Sequence, residues 1–327
     1  GDLDSLSIVP WQPGYARIAC DGYVNDEPYP YDSRVVLKRQ VERLTERGWT
    51  LNTGLEPEMT LLKKDDDGQL VPVDSTDTLD KPCYDYKGLS RSREFLEALV
   101  GSLQAVDFDV YQIDHEDANG QFEINWHYNN CLKTADQLCF FRFLVKSISE
   151  KHGLRATFMP KPFSHLTGNG CHVHASLWSL DEKTCLTHDP NNELGISELG
   201  YHFLGGVLAH AKGLAAITNP TVNSYKRINA PKTASGATWA PNTITFGGNN
   251  RTHMVRVPDE GRFEFRLADG AANPYLLMAG YLSAGLDGID NKTNPGKRLD
   301  IDMYAEGHKI RGAKKLPLYL IDAIREF

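Results

Sequence analysis

Apolar positions recur along this chain with two periods, one helical and one of every second residue. From Ser33 the helical period holds: Leu37, Val41 and Leu44 fall on one face, with Ser33 placed to cap the start and Gly48 to end it. The same spacing predicts helices over residues 90–106, over residues 134–151 with an end near Gly153, and over residues 197–217. Between them the period shortens to two. Residues 49–62 read as a strand that turns at Asp65-Asp66-Asp67-Gly68 and returns through residues 70–73. Apolar runs at residues 6–9 and 15–20, separated by Trp11-Gln12-Pro13-Gly14, read as a strand pair. Hairpins and helices interleaved this irregularly predict an α+β fold around a mainly antiparallel sheet.

Composition narrows the partners. With 327 residues and 41% hydrophobic content the chain can bury a sizeable core in one large domain or two ordinary ones. A net charge of −8 and the lack of any long Lys/Arg block argue against nucleic acid. The six cysteines, Cys20, Cys83, Cys131, Cys139, Cys171 and Cys185, form no CxxC pair and fit reduced structural thiols. The most apolar stretches, residues 203–217 and 275–289, are interrupted by His210 and Lys212 and by Asp287, so no membrane span is expected. Gly1-Asp2-Leu3-Asp4 has no basic n-region, which leaves a cytoplasmic location as the expectation.

The polar positions of the strands carry the candidate chemistry. Glu56-Pro57-Glu58, Gln121-Phe122-Glu123, His172-Val173-His174 and Arg262-Phe263-Glu264-Phe265-Arg266 set ionisable or polar groups at every second residue, hence on one strand face. A solvated face reads the same way. The repeated mix of carboxylates and imidazoles suits a cage for divalent metal and phosphate instead, and oxygen-rich ligands favour Mg²⁺ or Mn²⁺. Pro57 removes a ladder donor, so the Glu56–Glu58 strand is expected at an edge or a bulge. Glu116 and Glu123 are expected to converge across a turn permitted by Gly120. Downstream of Gly168 and Gly170, His172, His174 and Ser176 share a face as metal or phosphate partners. Arg227, Arg251, Arg256, Arg262 and Arg266 add guanidinium forks that match carboxylate and phosphate oxygens. Neither HExxH, a P-loop nor a Rossmann glycine turn occurs, and the aspartate run at residues 65–67 lacks the other ligands of a calcium loop.

Several longer runs carry a resemblance. Asn219-Pro220-Thr221-Val222-Asn223-Ser224-Tyr225-Lys226-Arg227, Phe158-Met159-Pro160-Lys161-Pro162 and Asn273-Pro274-Tyr275-Leu276, with the strands above, resemble the signatures of the glutamine synthetase family in family order from about residue 49 to 288. The resemblance implies a curved, mainly antiparallel sheet with flanking helices. It implies that Glu58, Glu116 and Glu123 hold one divalent metal, and Glu56, His172 and Glu264 another. Arg227, Arg266 and backbone at Gly168 would grip glutamate; His174, Ser176, Arg256 and Arg262 would serve ATP; Arg251 would stabilise the phosphoryl group in transfer. The implied reaction joins ammonia or methylamine to the γ-carboxylate of L-glutamate through γ-glutamyl phosphate. A covering loop is expected, because an acyl phosphate must be shielded from water.

The chain departs from the family pattern at the flap. Residues 228–238 differ, and Trp239 stands before Ala240-Pro241 where most members carry a glutamate; Thr167-Gly168 replaces an Asn-Gly pair. Members making γ-glutamylmethylamide resemble the chain here, so a less polar amine such as methylamine is expected. Residues 1–25 resemble the last strands of the family's N-terminal β-grasp domain, residues 26–327 its catalytic domain with an incomplete helical tail, and the intact protein is expected to form stacked-ring homo-oligomers with sites between subunits. Tyr304 is read as an exposed aromatic. Two other classes differ in kind. A non-catalytic assembly or nitrogen-sensing relative sits poorly with six retained metal ligands, and a metal hydrolase with the absence of an activated nucleophile.

Overall fold

The computed structural model describes all residues, 1–327. Two short antiparallel pairs come first, β1 (Asp2–Ile8) with β2 (Ala16–Ala19) and β3 (Tyr23–Val24) with β4 (Glu27–Pro28). They are followed by α1 (Ser33–Thr45), β5 (Trp49–Lys64), β6 (Leu70–Pro72), α2 (Tyr86–Arg91), α3 (Arg93–Gln104), β7 (Val110–His115), β8 (Gln121–Trp126) and β9 (Asn129–Asn130). Next are α4 (Cys131–Lys151), β10 (Arg155–Thr157), β11 (Cys171–Ser179), α5 (Glu198–Ala209), α6 (Ala211–Thr218) and α7 (Val222–Ile228). The chain closes with β12 (Phe246–Gly247), β13 (Val255–Asp259), β14 (Arg262–Phe265), α8 (Pro274–Asp290), α9 (Met303–Glu306) and α10 (Leu320–Glu326). No helix is long and apolar enough to cross a membrane.

The main sheet runs β12-β13-β14-β11-β5-β8-β7, with β6, β9 and β10 also on β5. All its pairs are antiparallel except β12 with β13. This agrees with the α+β expectation.

Four local expectations need correcting. The cap of α1 is Asp32, whose carboxylate accepts from the Val35 amide, rather than Ser33. The helix expected over residues 90–106 starts earlier, because Asp85 caps α2, and it breaks at Ser92. The helix expected over residues 197–217 breaks at His210, which is drawn to Asp287 at 2.8 Å. β5 is the central strand and not an edge. Pro57 is tolerated there because the Glu58 amide points to Gly170 on one flank, so the missing donor faces the other, between the stretch paired with β9 (Asn52 and Thr53) and the stretch paired with β8 (from Glu58).

Helices pack behind the sheet. Phe263 and Phe265 of β14 face this core, where Phe203 stacks on Phe263 at 6.2 Å and Tyr281 on Phe265 at 4.6 Å. Those aromatics can reach the strand because α5 and α8 touch backbone to backbone: a Cβ on Gly206 would lie 2.0 Å from the Ala284 carbonyl oxygen, and one on Gly288 2.4 Å from the Gly206 amide. At the other end the β1–β2 hairpin is tied down by buried Arg34, which pairs with Asp2 at 2.5 Å, Asp21 at 2.6 Å and Asp136 at 2.9 Å.

Candidate active site

Strand register gathers the charged residues. β11 sets His172 opposite Glu56 on β5 and His174 opposite Glu264 on β14. β8 sets Glu123 opposite Glu58, and β13 sets Arg256 opposite Glu264. Such partners share a face at about 5 Å between Cβ atoms, while Leu55, Met59, Val173, Phe263 and Phe265 point into the core. The alternation is therefore a cage over a packed sheet. Glu58, Glu123, His172, His174 and Glu264 are all buried, and Glu56 and Glu116 are partly so.

Within the cage, Glu56 accepts from His174 Nε2 at 2.7 Å and lies 3.3 Å from His172 Nδ1. Arg262 donates to His174 Nδ1 at 3.0 Å; since a guanidinium can only donate, the proton of His174 sits on Nε2, toward Glu56. Glu264 is fully buried between Arg256, at 2.9 Å, and Arg266. Glu58 accepts from the Gly170 amide at 2.7 Å and from Gln121 at 3.1 Å.

Two groups of ligand atoms lie within 4.8 Å of one another, Glu56-Glu123-His172 and Glu56-His174-Glu264. These groups divide the residues differently from the resemblance: Glu56 belongs to both, His174 falls in the second although both its ring nitrogens are engaged by Glu56 and Arg262, and Glu58 and Glu116 belong to neither. Gln121 and Gly170 both hold Oε2 of Glu58, which leaves Oε1 facing the cage 3.9 Å from His172 Nε2. Glu116 sits on the turn after β7, braced by His115, whose ring contacts the Glu116 carbonyl at 2.8 Å and Asp77 at 2.9 Å.

Charge is distributed unevenly. Burial works against ionisation of Glu56 and Glu264, yet hydrogen bonds from His172 and His174 hold Glu56 well below the ordinary carboxyl range, and Arg266 and His172 hold Glu264 down. Burial also pushes His172 down, with Arg266 adding to it, which leaves a neutral imidazole fit to ligate. Glu116 and Glu123 go the other way. Burial, with Glu58 and Asp114 for the first and Glu56 and Glu116 for the second, pushes both well above their ordinary range.

The donor set fits divalent cations. His172 Nε2 is buried without a hydrogen-bond partner, and carboxylates crowd a space from which Gly170 withholds a Cβ that would lie 2.9 Å from that nitrogen and 3.1 Å from Glu58 Oε1.

The remaining predicted residues rim the cage. Arg227 is buried and donates to the Leu267 carbonyl at 3.0 Å; its Nη2 would lie 2.8 Å from a Cβ on Gly170. Gly168 packs against the Pro160 carbonyl, and its own carbonyl accepts from Gln121 at 3.0 Å. Arg251 is exposed and donates to the Tyr84 hydroxyl at 3.1 Å. His174, Ser176 and Arg262 line a cavity of about 440 Å³ with Glu56, Tyr128 and Trp178; Arg256 lies deeper, at Glu264. Tyr128 and Trp178 were missed by sequence reasoning, although Trp178 extends the alternation of His172, His174 and Ser176. Tyr304 is half-buried rather than exposed, edge-on to Trp239 at 6.4 Å.

Comparison with known proteins bears on this geometry. The family described as "Glutamine synthetase, catalytic domain" matches residues 30–327. The chain belongs to the glutamine synthetase family. It is 53% identical to "Glutamine synthetase" of Rhizobium meliloti (strain 1021) over 326 residues, covering 100% of this chain and 74% of that protein. It is 51% identical to "Glutamate--methylamine ligase" of Methyloversatilis universalis over 329 residues, covering 99% and 74%. Among solved structures, "GmaS/ADP complex-Conformation 1" superposes with a TM-score of 0.94 at 53% identity, covering 99% of this chain and 74% of that one. The sheet and helices described above are thus the glutamine synthetase catalytic fold.

Proposed function

We propose that this chain is an ATP-dependent glutamate–amine ligase whose preferred amine is methylamine. What carries the reading is the one-faced array of carboxylates, imidazoles and arginines opening on a cavity with His174, Ser176 and Arg262 at its wall. The γ-carboxylate of glutamate attacks the γ-phosphorus of ATP, ADP leaves, and γ-glutamyl phosphate forms. The amine nitrogen then adds to the acyl carbon, phosphate departs, and the nitrogen gives up a proton.

Divalent ions held by Glu56, Glu58, Glu116, Glu123, His172 and Glu264 would neutralise phosphate charge. The chain's own cations do the rest. His174, Ser176, Arg256 and Arg262 orient the nucleotide, Arg227, Arg266 and the Gly168 backbone seat glutamate, and Arg251 swings from Tyr84 to the phosphoryl group in transfer. The preference for methylamine is supported by Trp239, which puts an indole at the flap, and by the similarity to the Methyloversatilis universalis protein.

Steady-state ADP release tests both parts. Release should require glutamate and an amine together, and methylamine should exceed ammonium in kcat/KM by about tenfold, the scale on which an apolar pocket senses one methyl group. ADP release independent of glutamate would sink the ligase reading, and a preference for ammonium the amine assignment.

A further inference from the structure

Gln121 is set among the carboxylates by strand alternation, yet the reaction above gives it no part. Its side chain is 0% exposed and its amide is engaged at both ends. Oε1 accepts from the Ala118 amide at 3.0 Å, which fixes the orientation of the group, because turning it over would set N–H against N–H. Nε2 then meets three acceptors: Glu58 Oε2 at 3.1 Å, the Gly168 carbonyl at 3.0 Å and Asn169 Oδ1 at 2.9 Å. An amide nitrogen carries only two hydrogens, so the three acceptors compete for them.

The competitors belong to different parts of the site. Glu58 turns its other oxygen to the cage, Gly168 is backbone assigned above to glutamate, and Asn169 fastens that backbone by donating to the Met159 carbonyl at 2.9 Å. They are also unequally supplied. Glu58 Oε2 and Asn169 Oδ1 each have a further donor, the Gly170 amide at 2.7 Å and the Thr60 hydroxyl at 3.1 Å, whereas the Gly168 carbonyl has Gln121 alone. A carboxylate oxygen draws an N–H hydrogen more strongly than a peptide oxygen does, so Glu58 is favoured at the expense of Gly168. A cation in the cage that draws on the Glu58 carboxylate weakens this pull, and the hydrogen turns to the Gly168 carbonyl. The amide thus has two arrangements, and events on either side of it bias the choice.

We propose that Gln121 is a positioning residue that couples the two halves of the site, so that metal at Glu58 firms the glutamate seat at Gly168 and glutamate in turn tightens metal. This rests on the ligase reading. Calorimetry without nucleotide, where no turnover occurs, tests it by titrating Mn²⁺ into the protein with and without saturating L-glutamate. In the wild type, glutamate should raise Mn²⁺ affinity about tenfold, within the ordinary range of coupling between sites. Gln121→Met keeps the length of the side chain and removes the amide, and there the ratio should fall to about twofold. Direct contact between metal and glutamate would survive that substitution, so the difference between the ratios is the share carried by the amide. A role confined to holding the fold would weaken Mn²⁺ equally with and without glutamate and leave the ratio where it was. A wild-type ratio near one, or the same ratio in the variant, overturns the coupling. If Gln121→Met does not fold, Gln121→Glu keeps the acceptor for Ala118 and loses the amide donor; an unchanged ratio there overturns it as well. L-Glutamate titrated into the Mn²⁺-loaded wild type separates the two levels of inference: no binding defeats the ligase reading, whereas binding with a ratio near one defeats the coupling alone.

Discussion

The two ends of the cage are built from the same residue types and behave oppositely. Around Glu264, protein cations already answer the carboxylates: Arg256 and Arg266 flank Glu264, and two imidazoles face Glu56. Around Glu116 and Glu123, the groups that act most strongly are further carboxylates. The first end has much of its negative charge answered by the protein itself; the second, where carboxylates face carboxylates, depends more heavily on cations from outside. Identical side chains thus differ in charge state according to what lies across the next strand.

The comparison breaks most visibly at Glu264. Glu264→Gln leaves two guanidiniums, one of them fully enclosed, without their carboxylate and should destabilise the protein by roughly 3–5 kcal/mol, read from urea unfolding without added metal. Glu123→Gln should act in the reverse direction. Removing one of several crowded like charges should stabilise the metal-free protein by roughly 1 kcal/mol, while Mn²⁺ affinity measured by calorimetry falls by about tenfold or more. If both substitutions destabilise alike, the two ends do not differ as described.

The smallest effect is one of pH. Glu116 and Glu123 have folded-state pKa values raised above their unfolded ones, so the folded state holds more protons between the two. Metal-free stability should therefore fall as pH rises above the ordinary carboxyl range, and added Mn²⁺ should restore more of it the higher the pH. Thermal unfolding across a pH series, with and without Mn²⁺, reads this directly. In a Glu116→Gln, Glu123→Gln double variant the decline should disappear.

Much of the site was legible in the sequence because strand alternation is strict. Once Phe263 and Phe265 face a core, Arg262, Glu264 and Arg266 have no other place to be. What alternation cannot give is the partner across the ladder. Which carboxylate meets which histidine depends on register, and register brought Glu56 within reach of both His172 and His174. Pro57 misled for a related reason: it forbids one hydrogen bond on one flank, and the sequence does not show that the flank is empty. Gln121 carried the strand period but no sign of its partners. Glu58, Gly168 and Asn169 lie 63, 47 and 48 residues away from it, and long-range hydrogen bonds of that kind leave no local trace.

The contact of Gly206 with Gly288 has a consequence for variation rather than for chemistry. The spacing between α5 and α8 sets how far Phe203 and Tyr281 press on β14, and β14 carries Glu264. Two positions with no functional group are therefore under the same constraint as the ligands. A lineage that drifts to alanine at either would have to reset the helix pair, the aromatic stack and the strand together, so change there should come as a coordinated set or not at all.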